Sequence, residues 1–169
     1  MKVLGLDLST TSTGYCVYDN EKINYGYIQC PKNKILAYGV IKSPKKQDAI
    51  DRIIYIEKEI KEIIIAKEVE YVCIEELSSM RGASTAKVLA TLQGHIEVEL
   101  RKKDMLVIKC RPSEWRKGKV KGRTRRELKS SAIEYVNKKY KLKVNDDEAD
   151  AICVAEYGSE LEVKEVLQW

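Results

Sequence analysis

The chain has no phenylalanine, a single histidine and no apolar run long enough to cross a bilayer. Each scarcity closes off a class of function. With only His95, a zinc centre lacks its usual ligands. The five cysteines, Cys16, Cys30, Cys73, Cys110 and Cys153, contain no C-x-x-C pair to make up for it. Their number is odd, and Cys16, Cys73 and Cys153 lie inside apolar runs, as reduced thiols packed among small core residues do. Neither a secretory signal nor a transmembrane stretch is legible, so a cytoplasmic protein without a membrane partner is expected. There is no low-complexity tract and no internal repeat. At 169 residues, one domain with a real core is the simplest reading.

Charge, by contrast, is abundant and uneven. Between Lys109 and Lys129 stand ten cations against Glu114 and Glu127, a balance of +8. The total is +5, which leaves −3 for the remainder. A solvated loop and helix face accounts for such a run in the plain case. A phosphate-binding surface is the sharper account. It places Lys117, Lys119, Lys121, Arg123, Arg125 and Lys129 among the candidate backbone contacts.

Four acids favour the sharper account. Asp7 ends the apolar run Val3–Leu6, and Glu75 ends the run Tyr71–Ile74. Asp147 and Asp150 stand three apart at the start of an apolar stretch, a spacing that puts both on one helix face. A carboxylate at the end of a buried strand is costly unless something pairs with it. Two such strand ends and an i,i+3 pair form a cage of oxygen ligands suited to Mg²⁺ or Mn²⁺. Glu76 rivals Glu75, although alternation along a strand turns the two to opposite faces. Asp146 and Glu148 flank the helix pair and read as capping or solvated acids.

The periodicity supplies the frame. Residues 2–7, 14–18 and 35–41 read as strands of an antiparallel meander, with a turn at Asp19-Asn20 and an extra strand or extension near Tyr25 to Cys30. From Gln47 to Lys67 a stripe of Ile50, Ile53, Ile56, Ile60, Ile63 and Ile64 marks a helix. Strands at 71–76 and 105–109 flank a long helix from Ser84 to about Lys103. That helix carries one stripe of Leu89, Leu92, Ile96 and Leu100, and a second of Ala86, Ala90 and Gly94. Pro112 starts a short turn or helix. Thr124 with Glu127 caps another helix, and Asn145 or Asp146 caps the last. The sum is an α/β layer with a mixed sheet.

At this point the chain resembles the RuvC-like Holliday-junction resolvases of the ribonuclease H-like fold. The carrying segments are Leu4-Gly5-Leu6-Asp7 with Thr13-Gly14-Tyr15, then Cys73-Ile74-Glu75-Glu76, and Asp147-Glu148-Ala149-Asp150-Ala151. They cover nearly the whole chain in the family's order. The resemblance implies a single RuvC-like nuclease domain over 1–169, with an antiparallel meander and then alternating strands and helices in one helix-flanked sheet. It makes Asp7, Glu75, Asp147 and Asp150 the catalytic carboxylates and the ligands of two Mg²⁺ ions, with Mn²⁺ able to substitute. The implied reaction is hydrolysis of phosphodiester bonds in branched DNA, by a homodimer built on the helix 84–103. In one respect the chain departs from the family. Resolvases carry a phenylalanine three residues after the strand glutamate, and Ser78 stands there; Met80 and Arg81 are the nearest candidates for a wedge, and Arg81 joins the candidate DNA contacts. A nuclease of relaxed specificity for branched DNA, as among phage-encoded relatives, is then implied.

Two other classes remain in view. Asp7-Leu8-Ser9-Thr10-Thr11-Ser12 looks like the first phosphate loop of actin-like phosphotransferases and sugar kinases. Those enzymes need two such domains, more than 169 residues hold. A branched-nucleic-acid-binding module without catalysis has no use for the acidic quartet. His95 reads as a packing or interface residue. Trp115 reads either as a base-stacking surface or as the anchor of a turn.

Overall fold

A computed structural model describes residues 1–25, 28–77 and 82–161, with side chains described for all of these except 21–34. Ser78, Met80, Arg81 and the tail residues Val163, Val166, Leu167 and Trp169 lie outside the described residues. Three strands come first: β1 (Lys2–Asp7), β2 (Ser12–Tyr25) and β3 (Ile28–Lys42). Then follow α1 (Ala49–Lys67), β4 (Tyr71–Glu75), α2 (Ala83–Arg101) and β5 (Leu106–Cys110). The short α3 (Pro112–Arg116), then α4 (Arg125–Tyr140) and α5 (Asp146–Glu160) complete the order. The sheet runs β3-β2-β1-β4-β5. Its meander half is antiparallel, and β1, β4 and β5 are parallel.

The alternation of β1 and β4 divides the core. Leu4 and Leu6 turn with Val72 and Ile74 to the face covered by α1 and α2. Val3 turns with Tyr71 and Cys73 to the face covered by α4 and α5. On α1 the buried isoleucines are Ile53, Ile56 and Ile60, each worth roughly 1.5–3 kcal/mol of transfer free energy. Ile50, expected in that stripe, is 57 % exposed in the first turn of the helix, which begins at Ala49. Asp48 caps α1, accepting a hydrogen bond from the Asp51 N–H at 2.9 Å. Among the described residues no helix is long and apolar enough to cross a membrane.

The meander differs from the sequence expectation. Asp19-Asn20 does not turn; β2 continues to Tyr25 in register with β3. The two turn-type side chains have tertiary partners instead. Asp19 accepts from the Met1 ammonium at 3.3 Å, and the Asn20 amide donates to the Ser159 carbonyl at 2.7 Å. The extension suggested near Tyr25 to Cys30 is the outer end of this ribbon, with residues 26–27 outside the described residues.

Helix α5 lies unusually close to the sheet. A Cβ on Gly5 would meet the Ala155 backbone nitrogen at 2.4 Å, and one on Gly14 would meet the Asp147 carbonyl oxygen at 2.1 Å. Both neighbours are backbone and cannot swing aside. Ala149, Ala151 and Ala155 complete the seam, all fully buried. Gly5→Ala should therefore cost about 2–3 kcal/mol or more and lower Tm by roughly 5–10 °C. Calorimetry showing a wild-type Tm would refute this account of the seam.

Candidate active site

Both strand-end acids are placed by the parallel register. Leu6 pairs with Ile74, so Asp7 and Glu75 stand side by side one step further on. Period-two alternation turns both to the α5 face, with Val3 and Cys73. The other two acids are placed by a helix start. Asn145 accepts from the Glu148 N–H at 2.9 Å, and the Glu148 carboxylate accepts from the Asn145 N–H at 2.9 Å. This capping box sets the phase of α5, and Asp147 and Asp150 then project from one face. Ser12 Oγ, at the start of β2, donates to Asp147 Oδ2. All four acids line one cleft of about 700 Å³.

The electrostatics follow from burial first and from crowding second. Burial, and after it the charges of Glu75, Asp150 and Asp147, hold the Asp7 carboxyl well above the ordinary aspartate range. Burial also raises Glu75, against the pull of Arg116 and the hydrogen bond from Trp115. Asp150 is pushed up to about 7, by burial first and Glu75 second. Among the described residues no trio of His, Cys, Asp or Glu is already drawn to metal-ligand spacing. Four carboxyl groups from three elements, with no sulfur or imidazole donor lining the cleft, fit a hard dication that would draw them together.

The flanking acids take other roles. Asp146 pairs with Lys129, which lowers its pKa. Glu148 is in the capping box. Glu76 does line the cleft, on its exposed rim. Strand β4 ends at Glu75, so alternation no longer governs Glu76; its N–H instead donates to the Cys110 carbonyl at 2.7 Å.

The site contains a device that the sequence did not disclose. Trp115, in α3, is fully buried, and its Nε1–H donates to Glu75 Oε2 at 2.8 Å. It is therefore an anchor, with no face free to stack on a base. The guanidinium carbon of Arg116 lies 4.6 Å from the Trp115 ring centroid, and Arg116 lines the cleft with its Nε buried and unpartnered. Arg116 was visible only as one of ten cations; its place after an aromatic anchor in a Pro-started turn was the one available signal.

The basic segment divides. Arg125 and Lys129, in the first turns of α4, line the cleft. Lys117, Lys121 and Arg123 are exposed outside it. Lys119 has partners within the fold: its ammonium lies 3.2 Å from Glu160 and 3.7 Å from Glu156, and its side chain is only 12 % exposed. His95 packs between helices, its Nε2 2.7 Å from Glu57 Oε2 on α1.

Comparison with known proteins places the fold. The family model for crossover junction endodeoxyribonuclease RuvC matches residues 3–156. A relative described as crossover junction endodeoxyribonuclease RuvC, from Heliobacterium modesticaldum, is 26% identical over 158 residues, covering 92% of this chain and 91% of the relative. Among solved structures, T. thermophilus RuvC in complex with a Holliday junction substrate superposes with a TM-score of 0.71 at 20% identity, covering 93% of this chain and 92% of that one. The Fowlpox virus resolvase, solved with Holliday junction DNA, gives 0.59 at 15% identity over the whole of both chains. The mixed five-stranded sheet with its flanking helices is thus the ribonuclease H-like fold of these resolvases.

The raised carboxyl groups set a pH dependence. Between about pH 4 and 7 the folded, metal-free protein holds protons that the unfolded chain has already released. Their contribution to stability is full below that window and is lost as pH rises through it. For Asp150 alone the loss is on the order of a few kcal/mol. In EDTA, the fall in Tm from pH 5 to pH 8 should be smaller in Asp150→Asn than in wild type. Mg²⁺ should restore more at pH 8 than at pH 5. Equal Mg²⁺ gains at both pH values in thermal melts would contradict the assignment.

Proposed function

The chain belongs to the RuvC family of crossover junction endodeoxyribonucleases, divalent-metal-dependent nucleases of the Holliday-junction resolvase type, and we propose that its carboxylate cleft cuts the backbone of Holliday junctions and, with relaxed selectivity, of forks or three-way junctions. The convergence of Asp7, Glu75, Asp147 and Asp150 beside Arg116, Arg125 and Lys129 carries this reading. The four acids would hold two Mg²⁺ ions, or Mn²⁺ in their place, and the bound pair would supply activation of water and stabilisation of the leaving 3′ oxygen.

The remaining work falls to side chains in place. Trp115 orients the Glu75 carboxylate, and Ser12 orients that of Asp147. Arg116, stiffened by its stack on Trp115, offers a planar fork to the phosphate in the cleft. Arg125 and Lys129 hold flanking phosphates. Lys117, Lys121 and Arg123 extend the positive surface along the strand, Lys119 adds charge from its paired position, and Arg81, outside the described residues, is a further candidate contact. Without a phenylalanine to enter the junction, selection rests on backbone path and charge, which favours the relaxed range. The nuclease works in the cytoplasm.

A two-fold homodimer through α2 suits the substrate, because resolution needs two cuts related by the pseudo-symmetry of a junction. Ala90 and Gly94 lie on the exposed face of that helix, with nothing within 4 Å of a Cβ built on Gly94, and Val98 beside them is 51 % exposed.

Asp7→Asn or Glu75→Gln should reduce junction cutting by roughly two orders of magnitude or more while leaving binding nearly unchanged. Wild-type cutting by Asp7→Asn with the same metal would sink the site assignment. Ala90→Glu is exposed in the single chain and should fold normally, yet it would bury an unpaired carboxylate at the proposed interface. Sedimentation should show it monomeric where wild type is dimeric, with paired incisions lost. A wild-type monomer that still makes paired cuts would end the dimer proposal.

A further inference from the structure

A second cleft, of about 450 Å³, lies beside the first. Thr11, Ser12, Lys42, Ser43, Lys45 and Arg52 line it: three cations, three hydroxyls and no carboxylate. Among the described residues none of Lys42, Lys45 and Arg52 forms an ion pair. The nearby Asp48 carboxylate is engaged as the α1 cap.

The cleft is also organised in advance. The Arg52 guanidinium donates to the Lys45 carbonyl at 2.9 Å, and Arg52 Nε is buried without a partner. Buried Ser43 donates from its hydroxyl to the Thr10 carbonyl at 2.7 Å. Thr13 Oγ1 donates to the Ser9 carbonyl at 2.6 Å and accepts from the Ser9 N–H at 3.1 Å. The hydroxyl-rich loop after β1 is thereby tied to both walls. Strand register sets Lys42 opposite Ser12. Ser9 lines the carboxylate cleft, Thr11 and Ser12 line the second, and Ser12 also donates to Asp147. Only this short loop separates the two.

A tetrahedral oxyanion takes several converging donors and a compensating cation, and the guanidinium of Arg52 with the ammonium groups of Lys42 and Lys45 supply both, while the hydroxyls of Ser12 and Ser43 are already donated to Asp147 and the Thr10 carbonyl and fix the walls. We propose that the second cleft is a subsite for a nucleic-acid backbone phosphate, one to a few nucleotides from the bond held at the carboxylates. The proposal rests on the nuclease reading of the first cleft. Free inorganic phosphate shares the chemistry. The diester is favoured because the two clefts adjoin and lie on opposite sides of one loop.

The test uses the full chain and a labelled four-way junction in EDTA. Lys42→Ala/Lys45→Ala removes two exposed side chains that support no core contact, and Arg52→Lys keeps the charge but loses the fork. Each lost phosphate contact should flatten the log–log salt slope by about 0.9, which is roughly threefold less loss of affinity between 50 and 200 mM salt. A scan with single methylphosphonate substitutions along the cut strand then locates the contact. A neutral linkage at one position near the cut should weaken wild type and leave the double variant unaffected. An unchanged slope with unchanged methylphosphonate penalties overturns the subsite while leaving the nuclease reading intact. So does binding of inorganic phosphate that the double variant abolishes without any change in junction binding. A wild-type protein that binds no branched DNA overturns both.

Discussion

Everything at the site depends on how closely α5 can lie on the sheet. Gly5 and Gly14 leave no side chain between strand and helix, and the alanines of α5 complete a seam at backbone contact. A helix held one side chain further away would carry Asp147 and Asp150 out of reach of Asp7 and Glu75. The same contact seats the Asp147 carbonyl over β2, where Ser12 holds the carboxylate of that residue. Packing at the seam and geometry at the carboxylate cluster are therefore one constraint.

That constraint brings carboxyl groups together in a buried place, which makes their charged forms costly. Asp7, Glu75 and Asp150 are all raised, with burial the leading cause in each. A dication held there would relieve the repulsion that protons otherwise relieve, which would tie metal affinity to pH. Local conflict of this kind is characteristic of functional sites, where charge placement for chemistry overrides stability. The rigid partners around the cluster limit its relaxation. Trp115 is locked in the core while it holds Glu75, so the carboxylate cannot simply swing into solvent.

A second polar network positions the basic side of the cleft. Glu156, two turns beyond Asp150 on α5, is 1 % exposed. It accepts from the Tyr135 hydroxyl at 2.9 Å and pairs with Lys139, both on α4, and with Lys119 at 3.7 Å. A buried ion pair adds little net stability against an apolar alternative, but it opposes other packings. Here it holds α4 on α5 and so keeps Arg125 and Lys129 at the cleft. It also explains why a dense run of cations is not uniformly available to a ligand. Lys119 and Lys109 are engaged by the protein itself, the latter with Glu97 at 3.2 Å.

The sequence alone was enough for most of the elements and for singling out four acids as candidates. Period-two and helical patterns delimit β1, β4, α1 and α2, and the capping signatures at Thr124 and Asn145 start α4 and α5 where the structure has them. Those signals are local, carried within a few residues of the bond they describe. Turn propensity at Asp19-Asn20 was also local and misled, because Met1 and Ser159, distant in sequence, claim those side chains. Strand alternation did not decide for Glu76, since the strand had already ended. Which cations face the cleft, that Trp115 holds Glu75, and that Ser12 joins two clefts through Asp147 were decided only by tertiary structure. Each depends on the depth at which α3 and α5 settle against the sheet, a distance set by packing across the whole domain.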